Sequence, residues 1–213
     1  MSHQPMQRKV SSTLELVTTP EAFFQEKVSL AVQNLQIALD DHLEFYLVHL
    51  LCNFIDPQKA APPEAGANFL DTPLALLLKQ ASESPPSQRL RLMKLIGDTS
   101  LYISGFFQDF FNRKTFDIGY YIAVGASAYN TASSIVLDQH NDDHFHAVYK
   151  ELSENFVKLV DIVAEVSDSP KENRPIDLLA VYDRWARSNS QRLRRILEQA
   201  GITPVEVHMR IAQ

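Results

Sequence analysis

The sequence predicts an all-α fold, a compact bundle of seven or eight helices around a central, uncharged helix rich in small residues. Glycine is scarce, at 6 of 213 residues, and no Asn-Gly or Asp-Gly dipeptide marks a β-hairpin turn. Apolar residues recur at helical spacing in several segments, without sustained alternation of apolar and polar positions. Residues 118–137 form a run of twenty without a charge. Together these observations favour helices packed against helices.

The first helix is predicted to begin at Thr19, because an N-cap threonine is followed there by Pro20 and by Glu21 in the first turn. A second start follows at Asp41, since Glu44 lies three residues later, as in a capping box. Either two helices meet there or one long helix kinks. The apolar positions of the first helix recur at helical spacing: Phe24, Val28, Ala31, Leu35 and Leu39.

The middle of the chain alternates between loops and helices. Residues 57–72 contain three prolines and a glycine and predict a surface loop. Thr72 and Pro73 then begin a short leucine-rich helix. After an interruption at residues 82–86, a longer helical pattern runs from about residue 87 into the phenylalanine-rich segment ISGFFQDFF.

The uncharged segment 118–137 has the length of a membrane span. Asn130 and four serine or threonine residues would each need a partner in lipid, so the segment is predicted to be a buried helix without crossing a membrane. Its small residues recur every four positions, which favours close helix packing, with room for a ligand as the alternative. These positions are Gly119, Ala123, Ser127 and Thr131.

The last third of the chain predicts three further helices. An amphipathic pattern runs from Val148 to Val163, and shorter helices are expected at about 176–186 and 190–200. Ser188 with Gln191 fits a capping box for the last helix, which Gly201 would end. We expect an N-terminal tail at 1–18, one helical domain at 19–201 and a C-terminal tail at 202–213.

Composition restricts the cellular setting. The net charge of −6 opposes non-specific attraction to nucleic acid or to anionic lipid. The single cysteine, Cys52, forms no disulfide within the chain and is interpreted as a small hydrophobic residue in a reducing compartment. The first residues are basic but lack the apolar core of a secretory signal, so we expect a cytoplasmic protein.

A cluster of metal-ligating side chains follows the uncharged segment. On a helix, its members would pair at a spacing of four residues, and imidazole with carboxylate can chelate a divalent metal. Further ligands would have to come from elsewhere, such as His42, Glu44 or His49, and the alternative is a solvated connector. The cluster comprises His140, Asp142, His144 and His146.

A second set of candidates could line a pocket between segment 97–117 and the 118–137 helix. Polar groups here lie among several phenylalanines, and an arginine is available for an anionic head group. The alternative is that these side chains belong to the core. The predicted ligand-binding residues are Asp98, Tyr102, Arg113, Tyr121 and Tyr129.

Arginines also concentrate near the C-terminus, where residues 171–213 hold eight Lys or Arg against five Asp or Glu. Such a patch could bind an acidic partner or a nucleic-acid backbone. A solvated basic face, or intramolecular pairing with the acidic remainder of the chain, is the preferred interpretation. The patch comprises Arg184, Arg187, Arg192, Arg194 and Arg195.

The phrases EFYLVHLLCNFI, LIGDTSLYISGFF and YYIAVGASAYNTAS resemble those of uncharacterised bacterial helical proteins over much of residues 40–165. The resemblance implies a bacterial origin and carries no activity. Because no Gly-rich phosphate loop, G-x-S-x-G or H-E-x-x-H motif occurs, the leading hypothesis is a non-enzymatic interaction or regulatory protein that self-associates or binds a protein partner. The alternatives are a small-ligand-binding protein or enzyme using the predicted pocket, and nucleic-acid binding through the arginines.

Overall fold

All regular secondary structure in the described parts of the chain is helical, which confirms the all-α prediction. The structure is a computed structural model, and it describes residues 19–66, 69–107, 117–140, 143–167 and 176–205. Short 3₁₀ turns lie at Pro63–Ala65 and Phe69–Asp71. The α-helices are α1 (Pro20–Leu35), α2 (Asp41–Asn53), α3 (Pro57–Ala60), α4 (Leu74–Glu83), α5 (Pro86–Phe106), α6 (Ile118–His140), α7 (Asp143–Glu154), α8 (Phe156–Ser167), α9 (Leu178–Ser188) and α10 (Gln191–Gln199).

The N-terminal helix begins as predicted. The Thr19 hydroxyl accepts a hydrogen bond from the Ala22 amide at 3.2 Å, and Pro20 occupies the first turn. The start of α2 differs, because Asp40 is its N-cap and Glu44 accepts hydrogen bonds from Gln25 and Ser29 of α1. Glu44 therefore joins α2 to α1, and two separate helices meet here.

Two helix boundaries near the C-terminus also differ from the prediction. The amphipathic pattern is divided at Asn155 into α7 and α8, because the chain turns there. Ser190, rather than Ser188, caps α10, and its hydroxyl accepts from the Leu193 amide at 3.0 Å. Gly201 follows α10 with a φ of +80°, as expected for the residue that ends a helix.

Helix α6 is continuous, and it is buried along one face while the opposite face is exposed. Ala123 and Ser127 of the predicted small-residue face are exposed. The close approach occurs at Gly125, where an added Cβ would lie 2.6 Å from Phe156 Cε2 and 2.7 Å from Ser100 Cβ. Spacing alone did not reveal which small residues face the core.

The core lies where α5 and α6 pack against each other, with α4 and α8 against α5 and α7 against α6. Helix α1 contacts α2 and α8. The large side chains that are fully buried come from most of these helices and include Leu47, Leu51, Leu77, Leu92, Ile96, Tyr129, Leu152 and Phe156. This packing fixes α2 beside α5, where the candidate site lies.

Helices α9 and α10 enclose a second, smaller core formed by Val181, Trp185, Leu193 and Leu197. Their junction is attached to α8 through Asp161, which is only 2% exposed. The carboxylate of Asp161 accepts hydrogen bonds from Ser190 Oγ at 2.6 Å and from the Arg192 amide at 3.2 Å. This buried acid therefore helps to hold the C-terminal helices on the main bundle.

We expect the stability contribution of Asp161 to depend on pH. Burial raises the pKa of this carboxyl above its ordinary value of 3.8, although hydrogen bonds from Ser190 and Arg192 oppose the shift. The unfolded chain then releases this proton at lower pH than the folded chain does, so stability falls as pH rises through the interval above 3.8.

Chemical denaturation of wild type and Asp161→Asn across that interval measures the effect. Relative to the variant, wild type should lose free energy of unfolding as pH rises and then level off above the raised pKa. Asp183→Asn, at an exposed carboxylate, serves as the control that should follow wild type. Parallel curves for wild type and Asp161→Asn would contradict the assignment.

Candidate functional site

A buried carboxylate joins three helices at the centre of the bundle. Asp98 of α5 is 8% exposed. Its Oδ1 accepts hydrogen bonds from Tyr46 Oη of α2 at 2.5 Å and from Tyr129 Oη of α6 at 2.7 Å. Its Oδ2 accepts one from Lys94 Nζ at 2.5 Å. These four residues are called the Asp98 cluster below.

Local sequence explains the geometry of the Asp98 cluster. Lys94 and Asp98 are four residues apart on α5, so their side chains meet on one helix face. Gly97 lets the Tyr129 ring lie directly against α5, because a Cβ there would come within 2.5 Å of Tyr129 Cε1. The ring of Tyr46 meets that of Tyr129 edge-on, with centroids 6.2 Å apart.

Electrostatics keep the donors of the Asp98 cluster protonated. Burial, together with the charge of Asp98, raises the pKa of Tyr46 and Tyr129 well above the ordinary value. Burial lowers the pKa of Lys94, but the charge and hydrogen bond of Asp98 outweigh it and leave the pKa raised. Lys94 is therefore held as a cation beside Asp98.

A cleft opens beside the Asp98 cluster, between α2 and α5, with a volume of about 310 Å³. Apolar and aromatic side chains supply most of its wall, and Lys94 belongs both to the cleft and to the Asp98 cluster. We call it the α2 cleft, and it is lined by Phe45, Tyr46, His49, Leu50, Asn53 and Lys94.

The structure brings together two of the five predicted ligand-binding residues, Asp98 and Tyr129. Tyr102 instead stacks on Phe54, with ring centroids 4.1 Å apart, and half-buried Tyr121 meets Tyr120 edge-on. Arg113 lies outside the described residues.

The predicted pocket between segment 97–117 and α6 stays a prediction, because residues 108–116 lie outside the described residues. The α5–α6 interface is closely packed at Gly97 and Gly125, where added Cβ atoms would collide with neighbouring side chains. The α2 cleft is a separate opening between α2 and α5.

Sequence reasoning missed the contribution of α2. Four residues with polar groups recur along this helix at intervals of four, three and four residues, at His42, Tyr46, His49 and Asn53. This spacing places them on one face, and three of the four line the cleft. The spacing of these four residues in the sequence was therefore a signal that could have revealed the polar face of α2.

The predicted histidine cluster is only partly described. Asp142 and the side chain of His140 lie outside the described residues, and His144 is exposed. His146 Nδ1 lies 2.8 Å from the hydroxyl of Ser133 on α6. A metal site at these residues stays a prediction.

Another group of metal-ligating side chains lies near the N-terminal end of α2. Asp40, His42 and Glu151 each place one ligand atom within 4.8 Å of the others. His42 Nε2 is 2.6 Å from Glu151 Oε2 of α7. We call this group the His42 triad.

Arginines of the predicted basic patch make contacts within the chain. Arg192 Nε lies 3.2 Å from Glu165 Oε2, and Arg194 Nε lies 2.9 Å from Glu198 Oε1. The guanidinium of Arg195 donates to the carbonyls of Asn34 and Leu35 at the end of α1. Arg187 approaches Asp117 at 3.8 Å, and Arg184 donates to the carbonyl of Ala180. These contacts support the intramolecular-pairing interpretation.

None of the helices in the described ranges combines the length and apolar character needed to cross a membrane. Comparison of the chain with family models, with curated proteins and with solved structures finds no match.

Proposed function

We propose that the protein is a non-enzymatic binding protein whose α2 cleft takes a small molecule joining an apolar or aromatic group to a carboxylate. One observation carries the proposal: Lys94, held as a cation by Asp98, lies in the wall of a mostly apolar cleft. Ligand sites typically combine such apolar walls with a few convergent polar groups.

The size of the α2 cleft limits its occupant. A volume of about 310 Å³ lies at the lower end of the roughly 300–1,000 Å³ typical of ligand pockets. Phe45 is 62% exposed, so its ring is available to cover a ligand that enters between α2 and α5. These dimensions favour a single ring, or a short aliphatic chain, with one polar head group.

The polar groups of the α2 cleft favour an anionic head group. The Lys94 ammonium has three N–H donors and, among the described residues, donates to Asp98. Asp98 also accepts from Tyr46 and Tyr129, and these bonds share its negative charge among three donors. His49 and Asn53 add further hydrogen-bonding groups to the wall. A carboxylate is the head group that matches this arrangement of donors.

The exposure of Phe45 also favours a second candidate, the interaction protein preferred on sequence grounds. A partly open cleft with an aromatic rim can receive one apolar side chain from a protein partner or from a second copy of the chain. In that case Phe45→Ala should abolish a concentration-dependent self-association measured by sedimentation.

Isothermal titration calorimetry with a matched pair of probes tests the small-molecule proposal. We expect 3-phenylpropionate to bind at least about 10-fold more tightly than 3-phenylpropionamide, a difference of about 1.4 kcal/mol, because only the carboxylate pairs with Lys94. Phe45→Ala should weaken binding of both probes through lost ring contact.

Phe23→Ala is the matched control, since Phe23 is 46% exposed on α1 and does not line the α2 cleft. Its affinity for the carboxylate should equal that of wild type. Equal affinity for the acid and the amide would refute the role of Lys94. Absence of binding by either probe would refute the proposed ligand class.

A further inference from the structure

We propose that the His42 triad is a binding site for a divalent transition-metal ion, with Zn²⁺ as the best-matched ion. The three side chains come from two parts of the chain, because His42 and Glu151 are 109 residues apart in sequence. Their ligand atoms already lie within 4.8 Å of one another. Folding of α2 beside α7 therefore assembles the site.

The donor set favours zinc over the alkaline-earth ions. An imidazole nitrogen with two carboxylate oxygens is a ligand combination that Zn²⁺ accepts, whereas Ca²⁺ and Mg²⁺ prefer oxygen ligands alone. The imidazole also distinguishes the His42 triad from a cluster of surface carboxylates, which has no nitrogen ligand. Three protein ligands leave a fourth position for water, which is the arrangement of open zinc sites.

The charge of the His42 triad favours a cation. Two carboxylates approach a single imidazole, and among the described residues no lysine or arginine forms an ion pair with Asp40 or Glu151. The side chains of His42 and Glu151 are 40% and 34% exposed, so an ion can reach them from solvent. The metal would take the Nε2 lone pair of His42, and a proton held there would pass to solvent.

The helix-capping pattern provides a separate observation on Asp40. The N-cap side chains Thr19, Asp177 and Ser190 accept hydrogen bonds from backbone amides at 3.2, 3.1 and 3.0 Å. Asp40 is the N-cap of α2 and has extended backbone angles, but its carboxylate, like that of Asp56 before the short helix α3, makes no such bond. A metal ion would therefore not have to break a capping bond in order to bind the carboxylate of Asp40.

The test uses the full chain without a polyhistidine tag. Zn²⁺ titration by calorimetry should give one site per chain, and Co²⁺ should give a visible absorption spectrum typical of low-coordinate nitrogen and oxygen ligation. Removing a residue that only hydrogen-bonds to a metal ligand already lowers metal affinity roughly 10–100-fold. Because His42 and Glu151 would bind the ion directly, His42→Gln and Glu151→Gln should each weaken Zn²⁺ binding by at least about 10-fold.

His49→Gln and His144→Gln are the matched controls. His49 lies on the same helix in the α2 cleft, and His144 belongs to the histidine cluster predicted from sequence. Both should bind Zn²⁺ as wild type does. Absence of the site in wild type, its retention in His42→Gln, or its loss in His144→Gln would overturn the proposal. Because no organic ligand is present, the result is independent of the α2 cleft.

Discussion

Replacing Asp98 with alanine is expected to lower the free energy of unfolding by about 2–4 kcal/mol. Breaking a buried ion pair by removing one partner costs about 3–5 kcal/mol, and the estimate is lower here because the Lys94 side chain is 40% exposed. The substitution would also leave the hydroxyls of Tyr46 and Tyr129 without their acceptor. Urea denaturation followed by circular dichroism measures the loss.

Two further variants separate charge from hydrogen bonding at this position. Asp98→Asn keeps one oxygen acceptor for the tyrosines but presents its N–H group to the Lys94 ammonium, so only part of the stability should return. Tyr46→Phe removes one hydrogen bond to the carboxylate and should cost about 1.5–3 kcal/mol. Asp98→Ala with wild-type stability would show that the Asp98 cluster does not hold α2 in place.

Gly97→Ala is expected to destabilise the protein by about 1–3 kcal/mol, although alanine is the better helix former. The new Cβ would lie 2.5 Å from Tyr129 Cε1 and 2.8 Å from Tyr129 Cζ, closer than atoms in proteins pack. Tyr129 is fully buried, and Phe156 and Tyr149 surround it, so its ring has little space to move. Thermal and urea denaturation provide the measurement.

The cause of the Gly97→Ala effect can be isolated with a second substitution. Tyr129→Leu removes the ring atoms that the new Cβ would meet, so the double variant should lose less stability than the sum of the two single changes. Ser127→Ala, on the exposed face of α6, is the control, and its free energy of unfolding should stay within about 0.5 kcal/mol of the wild-type value. Strict additivity at Gly97 and Tyr129 would contradict a collision between them.

The fold class followed from the sequence because helix signals are local. Thr19 with Pro20 marks the start of α1, and periodic apolar residues mark the other helices, without reference to distant parts of the chain. Boundaries that depend on tertiary contacts were less predictable. Glu44 completes a capping-box pattern in sequence, but its carboxylate bonds to α1, a partner that is visible only after folding.

The candidate site was predicted in part for the same reason. Asp98 and Tyr129 stood out as polar residues among apolar ones, and the structure joins them at 2.7 Å. Tyr46 and Lys94 were missed because their roles depend on which face of α2 lies beside α5. The pairing of His42 with Glu151 crosses 109 residues of sequence and had no local signature.

The Asp98 cluster and the His42 triad share helix α2, with Tyr46 one turn after His42. The cluster fixes α2 against α5 and α6 through hydrogen bonds to Asp98. The triad connects the beginning of α2 to α7. Variants that loosen the Asp98 cluster should therefore weaken ligand binding in the α2 cleft as well as stability.

The most direct measurement is a ¹H–¹⁵N NMR titration of the wild-type protein with 3-phenylpropionate, because it locates the bound molecule residue by residue. If the ligand binds in the α2 cleft, the largest changes in amide chemical shift should fall on Phe45, His49, Asn53 and Lys94. These changes should be smaller when 3-phenylpropionamide replaces the acid. Shift changes concentrated at the α5–α6 interface or among the C-terminal arginines, or none at all, would contradict the assignment of the α2 cleft as the binding site.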